Sequence, residues 1–421
     1  PPRLATARCV ILLVIDGMGD AQLAKHLAGG LLAGCRQGVI DSVFPSTTAS
    51  AISTFLTGLP PAGHGMTGWY QWCEEIGETL AILPMSRRGA GTPAKEAEDW
   101  AQSVLTAPSL GDRLPVPVTH VMPSWIAHSP FNRRLAGRVR HEPYANTESL
   151  FPAVERAMDA TAERQFIYAY WPNYDATAHD VGPDGDKAVA KLHQIEAAIA
   201  AFIARRAGSD ALLLVTADHG FITAPIDRQV DLADYPDLAA CLVRPLSGER
   251  RAAYAHVLPG RREAFADAVQ ARLGDALWLA DSAALFAAGW FGRSPPPPRF
   301  ASRIGDFTLV MKADWSILDI EASARRDLFF HDVETAVAEE LLASWKAEPV
   351  GPLATPVELT NERFGTVKRA YIQTSHDRVV SPQLQTSMLQ ATPAEAHVIE
   401  AGHLAILSKP LEVATVITTY L

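Results

Sequence analysis

The sequence predicts an α/β fold, an open and largely parallel sheet with helices on both faces. Three apolar, β-branched runs carry this reading: "CVILLVIDGMGD" (Cys9–Asp20), "QFIYAYWPNYD" (Gln165–Asp175) and "ALLLVTADHG" (Ala211–Gly220). Each is closed at once by a polar or glycine-rich turn. Uninterrupted apolar runs of this length suit strands buried on both faces, as parallel strands are. Alanine-rich stretches with apolar residues three and four apart lie between such runs. The clearest, "GDKAVAKLHQIEAAIAAFIARRAG" (Gly185–Gly208), predicts an amphipathic helix. Alternation of the two patterns implies a sheet layered by helices. In such sheets function gathers at the carboxyl ends of the strands.

The 421 residues allow two domains, or one large domain with insertions. A hydrophobic content of 48% and a charged content of 20% are those of an ordinary globular chain. The net charge of −10 argues against a nucleic-acid polymer or an anionic membrane surface as partner. No apolar run approaches the roughly 18 residues of a membrane span. Cys9, Cys35, Cys73 and Cys241 lack metal-type spacing and read as free thiols in a reducing, cytoplasmic compartment; no secretory leader is visible. "RSPPPPRF" (Arg293–Phe300) reads as a linker or a surface loop.

Each apolar run ends in acidic or histidine chemistry. The first ends at Asp16. The second ends in "NYDATAHD", whose Asp175 and His179 are four apart and so share one side of a turn or helix. The third ends in "TADHG", with Asp218 beside His219. One strand-end aspartate is ordinarily a cap. Three such ends together point to a metal site, because carboxylate oxygens and imidazole nitrogens suit zinc and similar divalent ions. The segment "FPSTTASAISTFLTG" (Phe44–Gly58) carries seven hydroxyl side chains in fifteen residues. Either they line and cap a buried helix, or one of them is a nucleophile.

"VIDGMGD", "FPSTTASAISTFLTGLPPAGHG", "NYDATAH" and "TADHG", in this order, resemble the alkaline phosphatase superfamily, in particular its nucleotide pyrophosphatase/phosphodiesterase branch. The resemblance runs from about Val10 to Asp319. It implies an alkaline-phosphatase-like sheet, two divalent metal ions, zinc by preference, and a small phosphoester substrate. It implies Asp16, Thr48, Asp218 and His219 around one ion and Asp175 and His179 on the other. Thr48, the second threonine of the "PSTT"-like segment, would be the nucleophile, with Thr47 as its rival. A helix starting just after Thr48 would direct N–H groups at the phosphoryl oxygens. His64 reads as a structural histidine at a glycine turn or as a substrate contact. Trp69 and Tyr70 read as stacking partners for a base or an aromatic leaving group, or as core.

The same resemblance implies a further histidine ligand after "RFASRIGDFTLVMKADWSILD" (Arg299–Asp319), in a segment like "GxHGG". That segment is absent, and the text changes character near Ile320–Arg326. From about Arg326 the chain resembles the C-terminal part of an α/β-hydrolase of the methylesterase/hydroxynitrile lyase branch. "KRAYIQTSHDRVVSP" would carry a triad acid, Asp377, and "VIEAGHLAILSKP" a triad histidine, His403. The G-x-S-x-G elbow that would supply the serine occurs nowhere in the sequence. The expected domains are therefore residues 1–320, a phosphodiesterase domain, and 321–421, a partial α/β-hydrolase unit of βαβα type. Two rivals to phosphoester hydrolysis follow: a hybrid with an impaired second metal site, and a carboxylester hydrolase acting through the tail. His331 is the first candidate to replace the missing ligand.

Overall fold

The computed structural model describes residues 2–88, 94–318, 322–343, 360 and 362–420. The chain divides into two compact units, Pro1–Asp319 and Ile320–Leu421. The junction expected at residue 320 lies outside the described residues.

In the first unit β1 (Cys9–Ile15), β2 (Val118–Pro123), β3 (Arg140–Tyr144), β4 (Gln165–Trp171) and β5 (Ala211–Thr216) form one parallel sheet, in the order β3-β2-β4-β1-β5. The three apolar runs are β1, β4 and β5, side by side. Register places Ile15 of β1 opposite Trp171, and Val14 opposite Thr216. The residues that follow all three strands therefore emerge at one edge. β1 and β4 are buried on both faces, as expected. β5 is only partly buried because it is the edge strand, with Leu214 37% exposed.

Alternation along β1 assigns its two faces. Ile11, Leu13 and Ile15 meet helix α3 (Asp186–Arg205; α1 and α2 are Thr48–Thr57 and Asn173–Val181), which buries Ala188, Leu192, Ile195, Ile199 and Phe202. That three-and-four spacing is the apolar stripe read from the sequence. The opposite face carries Val14, Tyr168 and Tyr170 against Ala49, Ile52 and Leu56 of α1. Each of the Val, Ile, Leu and Phe side chains among these, fully buried, contributes about 1.5–3 kcal/mol.

The hydroxyls of α1 are mostly absorbed by the helix itself. Ser53 donates to the Ala49 carbonyl at 2.7 Å, Thr54 to Ser50 at 3.1 Å and Thr57 to Ser53 at 2.6 Å. Ser50 donates to the Met66 carbonyl at 3.0 Å.

A second sheet of seven antiparallel strands was not legible in the sequence. Its order is Leu277–Asp281, Phe307–Met311, Ala252–Ala255, Ser247–Gly248, Tyr70–Cys73, Glu78–Ala81, Ser86–Arg87. Strands of two to five residues leave almost no alternation to read. "RSPPPPRF" is a loop within the first unit, not a linker between units; Pro297 packs on the Gly65 turn. The adjoining Arg303, 2% exposed, donates to the Gly65 carbonyl at 2.9 Å and pairs with Glu75 at 2.7 Å.

In the second unit β6 (Ala370–Thr374) and β7 (Glu395–Ile399) pair in parallel as a sheet of two, with a helix over Pro382–Ala391 between them and helices Ala405–Ser408 and Pro410–Thr418 after them. Its small core is Ile399, Ala401, Ala405 and Val413. Among the described residues no helix is long and apolar enough to cross a membrane.

His64 illustrates how a polar ring is built into this core. It is 1% exposed; its Nδ1 accepts the Met66 N–H at 3.0 Å, so Nε2 carries the proton toward Thr54 Oγ1 at 3.0 Å. Both nitrogens serve the turn after α1, which leaves none for a substrate. Burial, with nearby Arg303 adding to it, lowers its pKa to about 3. Below its ordinary value of about 6.5 the unfolded chain binds a proton that the folded chain refuses. His64 thus supports the fold fully above pH 6.5 and progressively less as pH falls toward 3. Thermal melts at pH 7 and pH 5 should show a loss of up to about 1.4 kcal/mol per pH unit per such group. The loss should be smaller in a His64→Gln variant.

Candidate metal centre and active site

Asp16 follows β1 directly and is 2% exposed. Its Oδ2 accepts the Tyr170 hydroxyl, while Oδ1 is buried without a partner. Burial and the negative charge of Asp16 raise the Tyr170 pKa, which keeps the phenol protonated and a donor. Gly17, next in the chain, has φ +73°, and a Cβ there would lie 2.4 Å from the Phe221 ring. Only glycine fits that bend. Its N–H donates to Asp218 Oδ1 at 3.0 Å, so the turn after β1 holds the carboxylate that follows β5. Two residues on, a Cβ on Gly19 would lie 2.6 Å from the Gly220 Cα; the two strand-end loops touch backbone to backbone.

Asp218 is also 2% exposed. Its Oδ1 takes a second N–H, that of His219, at 2.9 Å, and its Oδ2 is buried and unpartnered. Ser42 donates to the Asp218 carbonyl. The His219 Nδ1 lies 3.1 Å from the Gly220 carbonyl, which can only accept, so Nδ1 carries the proton. Nε2 is then a lone pair. It lies 3.0 Å from Thr48 Oγ1, 3.4 Å from Asp16 Oδ1, and 3.7 Å from both Asp218 Oδ2 and Asp175 Oδ1.

Asp16, Asp218 and His219 each offer a ligand atom, all within 4.8 Å of one another. Thr48, 7% exposed, joins them as the first residue of α1. Asp175 stands in the first turn of α2, its Oδ1 buried and unpartnered. His179, one turn on, places Nε2 3.5 Å from that oxygen and is otherwise largely exposed. The nearby Asp175 carboxylate raises the His179 pKa against the opposing effect of burial. The structure thus brings Asp16, Thr48, Asp175, His179, Asp218 and His219 to one edge of the sheet.

The unpartnered oxygens of Asp16, Asp218 and Asp175 fit a cation. Burial, then the charges of Asp218 and Asp175, push the Asp16 carboxyl well above its usual range. A buried carboxylate trio is costly unless positive charge is shared among its members. Oxygen and imidazole donors in this number suit a zinc-like divalent ion.

Two contributors escaped the sequence reading. Tyr170 anchors Asp16, and the signal was a tyrosine facing the site from inside a buried strand. Glu249 lies on the turn after Ser247–Gly248, its Oε1 accepting the Trp69 N–H. Burial raises its pKa, against the opposing effects of Thr47, the Trp69 N–H and nearby His219 and His179. Trp69 and Tyr70 are half-buried beside that turn; Tyr70 carries the Arg88 guanidinium over its ring at 4.7 Å.

In the second unit His403 Nδ1 lies 3.1 Å from each oxygen of Asp377. Burial opposes ionisation of Asp377, but the Val380 N–H, His403, the Val379 N–H and the Thr374 hydroxyl together hold its carboxyl below the usual range. Among the described residues no serine hydroxyl bonds His403. His331 belongs to this unit and has an unpartnered Nδ1.

Residues 10–334 match the type I phosphodiesterase / nucleotide pyrophosphatase family. The fold is similar to that of murine ectonucleotide pyrophosphatase/phosphodiesterase 5, solved as an inactive variant with AMP, at 18% identity and a TM-score of 0.53, covering 73% of this chain and 80% of that one. It is also similar to phosphonoacetate hydrolase from Sinorhizobium meliloti, solved with phosphonoformate, at 18% identity and a TM-score of 0.54, covering 76% and 84%. Two chloroplastic Arabidopsis thaliana proteins named as methylesterases 11 and 14 are 27% identical over 95 residues and 30% over 87. These stretches are 22% and 20% of this chain, which spans about a quarter of the length of those curated relatives, 24% and 25%.

The repulsion among the site carboxylates is open to measurement. Asp16→Asn keeps an acceptor for Tyr170 and removes one negative charge. In metal-free protein it should raise the melting temperature, by roughly 2–4 °C per kcal/mol relieved. In a zinc titration the same variant should lose the tightest binding class. A lower melting temperature in the metal-free variant would mean that the carboxylates do not repel one another.

Proposed function

Since the chain belongs to the type I phosphodiesterase / nucleotide pyrophosphatase family, we propose that it is a metal-dependent phosphoester hydrolase with Thr48 as nucleophile. One observation carries this reading: the Thr48 hydroxyl lies 3.0 Å from the His219 lone pair, where the ligand atoms of Asp16, Asp218 and His219 converge. Asp16, Thr48, Asp218 and His219 would hold one divalent ion, and Asp175 with His179 a second, zinc in both places. Such ions lower the pKa of a coordinated hydroxyl and neutralise phosphoryl oxygens.

The chain's own groups then have distinct tasks. Thr48 Oγ1, losing its proton, bonds to phosphorus as the bond to the leaving alkoxide or phosphate oxygen breaks, which gives a phosphorylated threonine that still carries the substrate's other ester group, a nucleotidylated threonine for a nucleotide substrate. Water attacks the same phosphorus, the threonyl oxygen departs, and Thr48 is restored. The N–H groups of Thr48, Ala49 and Ser50 have no acceptor among the described residues and face the edge where Thr48 stands. They would bind phosphoryl oxygens. Thr48 and not its rival Thr47 is the nucleophile in this reading because the Thr48 hydroxyl is the one beside His219 Nε2. The substrate is a small phosphoester, a phosphodiester or nucleotide pyrophosphate. The inactive threonine-to-alanine form of the murine neighbour supports a threonine in this role. The four free cysteines support a reducing compartment.

Thr48→Ala should lower turnover of bis(p-nitrophenyl) phosphate by about a thousandfold or more at unchanged melting temperature, and Thr48→Ser should retain part of it. Turnover by the alanine variant near the wild-type rate would remove Thr48 from the mechanism.

With two protein ligands from Asp175 and His179, the second ion should bind more weakly than the first. Calorimetric zinc titration should resolve one tight class and one weaker class per chain. Two equally tight ions would mean that another side chain completes the second site.

A further inference from the structure

Phe221 lies in the loop after β5, just beyond His219. Its ring is bordered by all three segments that carry the candidate ligands. A Cβ on Gly17, in the turn after β1, would lie 2.4 Å from the Phe221 Cε2 atom and 3.3 Å from the Asp175 Cβ, so the ring fills the space that glycine leaves beside Asp175. It stands nearly perpendicular to the imidazole of His219 in its own loop, with centroids 5.8 Å apart and planes at 71°. The imidazole of His179 in α2 is placed in the same way, at 5.2 Å and 73°. Tyr174, in the first turn of α2, borders it at 5.9 Å and 89°. Edge-to-face contacts at such distances are a favoured arrangement of aromatic rings.

The Phe221 backbone is held as firmly. Gln22, 7% exposed in the helix Asp20–His26, donates from Nε2 to the Phe221 carbonyl at 2.9 Å. Its Oε1 accepts the Phe221 N–H at 3.3 Å. One buried side-chain amide thus binds both backbone polar groups of this residue.

The two histidines differ in what else holds them. His219 has its Nδ1 on the Gly220 carbonyl at 3.1 Å and its Nε2 3.0 Å from Thr48 Oγ1. The His179 side chain is 69% exposed. Among the described residues its imidazole has one ionic contact, to Asp175, and one ring contact, to Phe221. Without the Phe221 ring, His219 keeps its hydrogen bonds while His179 is free to swing into solvent. A side chain that must be immobilised when its ligand arrives costs affinity. Groups that orient metal-binding imidazoles therefore tune the ion. We infer that Phe221 is a positioning residue that holds the imidazoles of both candidate ion sites, and on which the Asp175–His179 site depends more than the other. This deepens the hydrolase reading and rests on it. The ligand concerned is a divalent cation of the zinc type.

The test uses the whole chain and two probes, zinc alone by calorimetry and bis(p-nitrophenyl) phosphate turnover. Phe221→Leu keeps apolar bulk and removes the ring. It should weaken the weaker zinc class by about tenfold and the tight class by about threefold or less. Its turnover should be low at limiting zinc and should recover as zinc is raised, with KM unchanged. Phe221→Tyr, which keeps the ring, should restore both classes. A merely structural role would lower the melting temperature of the metal-free variant and leave both zinc affinities alone. A Phe221→Leu variant with wild-type zinc affinities, or a Phe221→Tyr variant as weak as Phe221→Leu, would overturn the inference. So would a wild-type titration with one class only, since His179 would then hold no ion. Should Phe221→Leu not fold, Phe221→Met, whose unbranched chain fills space without a ring, replaces it with the same expected losses. Zinc classes that follow Phe221 in a protein without turnover would sink the hydrolase reading and leave this inference standing. Turnover with zinc classes indifferent to Phe221 would do the reverse.

Discussion

The candidate site is governed by the meeting of like charges at the carboxyl edge of the parallel sheet. Asp16, Asp218 and Asp175 bring unpartnered oxygens together in a place mostly closed to water. Much of the local structure holds that arrangement in place. The Gly17 bend, the Gly19–Gly220 approach, the two N–H groups on Asp218 and the Tyr170 hydroxyl on Asp16 each fix one carboxylate oxygen or its loop. On Asp16 and Asp218 one oxygen is satisfied by the protein and the other is left without a partner. Such a cluster is suited to a cation and poorly suited to anything else.

The hydroxyl-rich helix beside it shows how similar groups divide their tasks by position. Ser50, Ser53, Thr54 and Thr57 satisfy carbonyls of their own helix or of the loop after it. Thr48 alone reaches the His219 lone pair, because it begins the helix while its neighbours lie inside it. Thr47, one residue earlier, is still extended. A shift of one residue in the helix start would exchange these roles.

The second unit keeps a geometry without the chemistry that usually accompanies it. The Asp377–His403 contact depends on the loop after β6 folding its own N–H groups onto Asp377 and on the β7 loop returning His403. Both loops belong to one small βαβ piece, so the pair forms although among the described residues no serine hydroxyl bonds His403. An acid and a histidine in contact are therefore a weak sign of esterase function in this chain.

The α/β class, the three adjacent strands β4, β1 and β5, the long helix at Asp186–Arg205 and the acidic and histidine residues at the strand ends were legible in the sequence. These depend on periodicity and on strand-end position, both local properties. The antiparallel sheet was not legible, since its strands are too short for a period and pair across long stretches of chain, as between Tyr70 and Gly248. Nor could local pattern show that His64 spends its two nitrogens on Met66 and Thr54, or that Tyr170 serves Asp16. The sequence by itself determined which chemistry was available. Only the tertiary structure decided which oxygen and nitrogen atoms are left unpaired, because that depends on partners brought together from distant parts of the chain.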